Sequence, residues 1–184
     1  SLFLNYIEKE TDNMVMMTSA YANKLLKQLE EDKEYWLRKE SMSCTYDAAE
    51  GEEPVVPEYD YAEVAATISE IDRKMCVIKH AVNLSNATAK VPVGEEVLSV
   101  DCILVKMAQL NRRKATLDHM RKMQPKERLQ MRVVGNRNVA PEYRYINFDL
   151  ELVKKEYEQI SNQIMMMQIA LDKHNQTEEF EVEI

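Results

Sequence analysis

The sequence predicts a mainly α fold, an antiparallel helical bundle or coiled coil of three to four long helices with a small β-hairpin-like arm and a short C-terminal strand. Only 3 of the 184 residues are Gly and 5 are Pro, while Glu, Lys, Leu and Met are abundant, a composition typical of long helices. Between Asp149 and Asn175, apolar residues recur at alternating steps of three and four, which indicates a coiled-coil seam. The seam residues are Leu150, Val153, Tyr157, Ile160, Ile164, Met167, Leu171 and His174.

The N-terminal part predicts an extension, a first helix and a loop within a single domain of residues 1–184. Residues 1–17 combine a small apolar group with a polar break and are expected to be peripheral. Residues 19–39 carry an amphipathic pattern that predicts the first helix. Residues 41–58 are acidic and contain Pro54 and Pro57, so we expect a loop in which the chain reverses.

Two further helices follow. Residues 64–82 repeat apolar side chains at steps of four and three, with Pro57 expected in the first turn of this helix and a cap or turn at residues 83–86. Residues 88–97 predict an extended connection. Ser99 is a candidate N-cap for the third helix, which is expected to end between Met123 and Pro125.

Residues 125–148 are basic and lose the helical period, which predicts a non-helical arm. Residues 131–134 and 143–148 resemble the strands of a loose hairpin with its turn at Gly135 and Asn136. After the last helix, Phe180, Val182 and Ile184 alternate with acidic residues, and this alternation predicts a short strand.

Catalytic signals are nearly absent from the sequence. His80, His119 and His174 are scattered, and the pair Cys76 and His80 is more typical of packing than of a metal site. We therefore expect no enzyme activity, no metal and no cofactor. The sequence has an odd number of cysteines without a CxxC pair, and it has neither a membrane span nor an export signal. These features predict a cytoplasmic protein.

Charge is segregated along the chain. The net charge is -8, yet residues 106–144 contain 11 Lys and Arg against 3 acids, a net charge of +8. This segment predicts a phosphate or nucleic-acid binding surface, with tyrosines available to stack on bases. The alternative is that basic and acidic regions neutralise each other within or between subunits. The candidate residues are Arg112, Arg113, Lys114, Arg128, Arg132, Arg137, Arg144, Tyr143 and Tyr145.

Met165, Met166 and Ile169 lie beside the seam of the last helix and widen its apolar face. A face this wide usually has more than one neighbour, so these residues are candidates for a subunit interface. The alternative is that the methionines fill the core of the monomer, where their flexibility suits irregular gaps.

Several landmarks, taken in order, resemble a bacterial family of helical proteins often labelled septicolysin. They are Pro54 to Pro57, Ile78 to Thr88 with Asn83 and Asn86, Gly94, Ser99 to Asp101, Arg112 to Lys114, and Pro141 to Arg144. Leu84 and Ser85 replace the family's usual residues between the two asparagines. The resemblance covers about residues 18–181 and implies a helical fold and a homo-oligomer. The label suggests a membrane-active toxin, but the sequence has neither an export signal nor a pore-forming segment.

Three functions follow from these patterns, in order of preference. The first is a non-enzymatic cytoplasmic homo-oligomer that acts by binding a partner. The second is a nucleic-acid or nucleotide-phosphate binder that uses the basic segment of residues 106–144. The third and least favoured is a septicolysin-like toxin acting on membranes.

Overall fold

The computed structural model describes residues 14–130 and 140–184. These residues form a mainly α fold with short antiparallel strand pairs, which confirms the predicted fold class. The helices are α1 (Ser19–Ser43), α2 (Tyr61–Thr88), α3 (Val100–Arg121) and α4 (Leu150–Thr177). The strands are β1 (Met14–Thr18), β2 (Val91–Val93), β3 (Glu96–Leu98), β4 (Lys126–Arg128), β5 (Tyr143–Tyr145) and β6 (Glu179–Glu183).

The chain divides into two compact units. The first, which we call the terminal unit, comprises Ser1–Ala89 and Asp172–Ile184, and the second, the central unit, is Lys90–Leu171. The expectation of a single domain stays a prediction.

The terminal unit joins the first and last described strands. β1 pairs antiparallel with β6, so that Val15 lies opposite Val182. Apolar and acidic residues alternate in the C-terminal tail because every second side chain of β6 faces the core. Residues 14–17 of the extension expected to be peripheral belong to β1, whereas residues 1–13 lie outside the described residues. The buried core residues are Met17, Ala22, Ile78, Val82 and Val182.

Polar contacts fasten α1 to α2 and to the loop before it. The Lys33 ammonium lies 2.7 Å from Asp72 Oδ1, and the Tyr59 hydroxyl donates a hydrogen bond of 2.7 Å to Glu40 Oε2. Lys33 lies ten residues before the end of α1, and Glu40 lies within its last turn. Both contacts are therefore in the C-terminal half of α1.

Both predicted ends of α2 are wrong. The helix begins at Tyr61 because the side chain of Asp60 caps it, accepting a hydrogen bond from the Glu63 amide, and Pro57 therefore lies in the preceding loop. At the other end, the helix continues through residues 83–86 to Thr88. The Ala89 amide donates to the Ser85 carbonyl, so helical bonding is kept across this polar stretch.

The central unit contains a β2–β3 hairpin and the helices α3 and α4. Ser99 caps α3 as predicted, accepting from the Cys102 amide, although the helix ends at Arg121, slightly before the predicted Met123. Asp149 caps α4 by accepting from the amides of Glu151 and Leu152. The two helices share a core of Leu117, Val153 and Ile160, with Leu110, Met120, Phe148, Tyr157 and Ile164 packed against it.

The basic arm forms a hairpin whose strands differ from the predicted ones. β4 occupies residues 126–128, earlier in the chain than the predicted strand at residues 131–134, and pairs antiparallel with β5. The predicted first strand and its turn at Gly135 and Asn136 lie outside the described residues. β5 ends at Tyr145, before the predicted Phe148, because Phe148 packs against the helix core and the next residue caps α4.

Candidate functional site

Three apolar side chains in the second half of α4 are exposed. Met165 is 54% exposed, Met166 48% and Ile169 62%, whereas Met167 and Leu171 are buried. Because successive residues turn by about 100° around a helix, these three side chains lie on the side opposite the buried seam. We call them the outward face. Of the methionines in this stretch, Met167 is the one that fills the core.

The outward face lies in an uncharged stretch of helix. From Gln159 to Leu171 no side chain carries a formal charge, although 30% of all residues are Asp, Glu, Lys or Arg. Its polar residues are amides and a serine. An exposed apolar patch rimmed by uncharged polar groups is typical of protein contact surfaces. The role of these residues as a subunit interface stays a prediction.

One edge of the outward face touches the β2–β3 hairpin. A Cβ atom placed on Gly94 would lie 3.3 Å from Met166 Cε, and Gly94 adopts a positive φ of 60° in the hairpin turn. Gly94 thus allows the turn to approach the methionine closely. About half of the Met166 surface stays exposed despite this approach.

The structure places the predicted basic residues on two elements. Arg112 and Arg113 are exposed on α3, and Lys114 is half-buried with its ammonium 5.6 Å from the centroid of the Tyr157 ring. Arg128 and Arg144, with Tyr143 and Tyr145, are exposed on the β4–β5 hairpin. Arg132 and Arg137 lie outside the described residues.

Part of the positive charge is neutralised locally. Asp118 Oδ1 lies 2.7 Å from the Arg121 guanidinium, Asp118 Oδ2 lies 2.5 Å from the Lys122 ammonium, and Lys106 lies 3.1 Å from Glu96. Hydrogen bonds from Lys122 and then Arg121 hold the pKa of Asp118 below its ordinary value. Asp118 belongs to the basic segment itself, so of these contacts only the Lys106–Glu96 pair joins that segment to an acid outside it, as in the alternative.

The hairpin separates its remaining charges by face. In the β4–β5 register, Lys126 lies opposite Tyr145, Glu127 opposite Arg144, and Arg128 opposite Tyr143. Side chains of neighbouring residues in a strand point to opposite faces, and directly opposed residues share a face. One face therefore carries Lys126, Arg128, Tyr143 and Tyr145, and we call it the tyrosine face. The other carries Glu127 and Arg144.

The ammonium of Lys126 lies close to both rings of the tyrosine face. Its ammonium lies 4.3 Å from the centroid of the Tyr143 ring and 5.6 Å from that of Tyr145. Lys126 was not among the residues selected from the sequence. The sequence contains two alternating triplets, Lys-Glu-Arg and Tyr-Arg-Tyr. They indicate a shared surface only once the strand register is known.

Other kinds of site have little support in the described part of the chain. Within residues 14–130 and 140–184, no group of three or more His, Cys, Asp or Glu is arranged to hold a metal ion. Cys44, Cys76 and Cys102 are free thiols on the surface. None of the helices in this part of the chain is both long enough and apolar enough to cross a membrane.

Comparison with known proteins supports the fold alone. No protein-family model and no curated protein matches the sequence. The chain is similar in structure to a functionally unknown conserved protein from Corynebacterium diphtheriae, with a TM-score of 0.54 and 12% sequence identity. The match covers 90% of this chain and 99% of that one. The resemblance to the septicolysin family stays a prediction.

Proposed function

We propose that this chain is a non-enzymatic protein that acts through protein–protein contacts, and that its copies associate through the outward face of α4. The observation that carries the proposal is the position of Met165, Met166 and Ile169. They are about half exposed or more and lie opposite the seam, within a stretch that has no charged residue. Burial of such a patch against another apolar surface is favourable.

A second copy of the chain fits this surface because of charge. Each copy carries a net charge of -8, so two copies repel each other overall, although residues 106–144 carry a net charge of +8. The stretch from Gln159 to Leu171 contributes no charge to that repulsion. A two-fold contact places the same patch of both copies together. Packing α4 against its own copy therefore buries the methionines without bringing like charges of this stretch together.

A cytoplasmic location is part of the proposal. The three cysteines are free and exposed, and exposed thiols are typical of proteins in reducing compartments.

Sedimentation velocity across the micromolar range tests the self-association. We expect a dimer or larger oligomer for the wild-type chain. Ile169→Lys and Met166→Lys each place a charge in the contact and are expected to weaken association by at least about tenfold in Kd, equivalent to 1.4 kcal/mol.

Met42→Lys is the matched control. Met42 is 74% exposed on α1, outside the outward face, so the same substitution there should leave the association unchanged. A wild-type chain that stays monomeric throughout the concentration range contradicts the proposal. An equal effect of Met42→Lys also contradicts it, because the effect would then come from added charge rather than from the contact.

A further inference from the structure

The tyrosine face of the β4–β5 hairpin combines cations and exposed rings without an acidic side chain. Tyr143 is 38% exposed and Tyr145 62%. Lys126 and Arg128 are exposed beside them, and Glu127, the acidic residue of the paired strands, lies on the opposite face. We infer that the tyrosine face binds single-stranded nucleic acid, a function independent of the self-association proposed above.

The cations supply the contact to phosphate. Among residues 14–130 and 140–184, no carboxylate lies within ion-pair distance of Lys126 or Arg128, unlike Lys106, Arg121 and Lys122. These two side chains therefore keep their charge available for an anion. A planar guanidinium also matches the geometry of a phosphate group.

The rings supply the contact to bases. Tyr143 and Tyr145 are two residues apart on one strand, a rise of about 6.8 Å. Stacked bases in a duplex follow each other at about 3.4 Å and are paired. A single strand can spread its bases to reach both rings, and base stacking on aromatic side chains tolerates any sequence. The spacing therefore favours a single strand over a duplex.

The arrangement of Lys126 joins the two kinds of contact. Its ammonium lies within 6 Å of the centroids of both rings, a distance at which cations and aromatic faces attract. The ammonium lies over one face of each ring, so a base stacks on the opposite face or displaces the lysine side chain. A phosphate that links two stacked bases would then lie close to this ammonium.

Fluorescence anisotropy of the full chain with a labelled oligothymidylate of about ten nucleotides, within the range of known single-strand sites, tests the inference. We expect binding that weakens with salt, with a slope of about -1.4 in log K against log salt for two phosphate contacts. Tyr145→Leu is expected to weaken binding by about tenfold through lost stacking.

Arg128→Gln and Arg144→Gln form a matched pair on opposite faces of the same hairpin. The first is expected to weaken binding several-fold and to lower the salt slope by about half, whereas the second keeps most of the affinity. Equal losses from both variants overturn the inference, because they would reflect net charge alone. Circular dichroism shows that each variant stays folded.

Competition identifies the ligand. An unlabelled single strand, DNA or RNA, should displace the probe. A duplex of the same length, inorganic phosphate and polyglutamate should compete at least about tenfold more weakly, because none of them offers bases to both rings. Displacement by duplex, phosphate or polyglutamate at similar concentrations overturns the inference, as does the absence of any binding at low salt.

Discussion

The guanidinium carbon of Arg121 lies 4.0 Å from the centroid of the Tyr157 ring. Asp118 holds the same guanidinium at 2.7 Å. This contact links the last turn of α3 to the first half of α4, beside the apolar cluster that the two helices share. The Tyr157 ring thus contacts a cation of α3 that is itself paired with Asp118.

Tyr157→Leu removes the ring and its cation contacts. We expect it to lower the free energy of unfolding by about 1–2 kcal/mol, because a half-buried side chain loses packing as well as the attraction of Arg121. Tyr157→Phe keeps the ring and is expected to cost about 0.5 kcal/mol or less. Urea unfolding measures both values. Equal losses would show that the hydroxyl, not the ring, is responsible.

Asp118 is expected to make the folded chain less stable at acid pH than at neutral pH. Its pKa is lowered in the folded chain by hydrogen bonds from Lys122 and Arg121. A lowered folded pKa contributes stability above the unfolded pKa, near 4, and this contribution is lost as the pH falls through the folded value. Asp118→Asn should therefore destabilise the chain at pH 7 and have much less effect at pH 3. Urea unfolding at both pH values measures this.

Glu156→Gln is the control for Asp118. Glu156 is exposed on α4 and forms no ion pair within residues 14–130 and 140–184. Its substitution should change stability little at either pH. A similar pH dependence in both variants would mean that net charge, rather than the Asp118 contacts, causes the effect.

Gly94→Ala is expected to destabilise the central unit more than Gly51→Ala destabilises the acidic loop. Both glycines have positive φ angles, of 60° and 84°, so each substitution costs about 1–2 kcal/mol in backbone strain. Only at Gly94 would the added Cβ crowd a neighbour, Met166 Cε at 3.3 Å. Adding Met166→Ala should cancel part of the Gly94→Ala loss in a double-mutant cycle. Additive losses would contradict the contact.

Asp149→Ala removes the cap of α4. The carboxylate accepts hydrogen bonds from Glu151 N at 3.0 Å and Leu152 N at 3.1 Å. We expect a loss of about 1 kcal/mol in unfolding free energy, and a smaller loss for Asp149→Asn, since the amide oxygen also accepts. Thermal or urea unfolding measures the difference. If the asparagine variant loses as much as the alanine variant, the negative charge rather than the hydrogen bond stabilises this end.

Tyr59 is expected to titrate at unusually high pH. Its hydrogen bond to Glu40 raises the pKa of the phenol to about 12. Because this pKa is raised, its contribution to stability is present below about pH 10 and is lost as the pH rises through 12. NMR titration of the tyrosine rings, assigned with Tyr59→Phe, measures the pKa. Glu40→Gln should lower it, and an unchanged value would contradict the role of Glu40.

The helices were predictable from the sequence because their cores are built from local repeats. The seam of α4 and the cap at Ser99 depend only on residues a few positions apart. The start of α2 was not predictable in this way. Pro57 and Asp60 are both good start signals, and the hydrogen bond from Glu63 to Asp60 decides between them.

Strand pairing explains what the sequence did not reveal. The tyrosine face depends on Lys126 lying opposite Tyr145, and no local pattern sets that register across the intervening residues. The exposed methionines were easier to find, because the helical period alone places Met165 and Met166 away from the buried seam.

The pairing of β1 with β6 sets an order of events during synthesis. Residues that pair in these strands are more than 160 positions apart in the sequence. A ribosome that makes the chain from its N-terminus completes the whole central unit before the partner of β1 exists. Until then, β1 has no strand partner, and its apolar side, which includes Met17, is not covered by β6. The edge of β1 therefore stays unpaired at least until β6 has been synthesised.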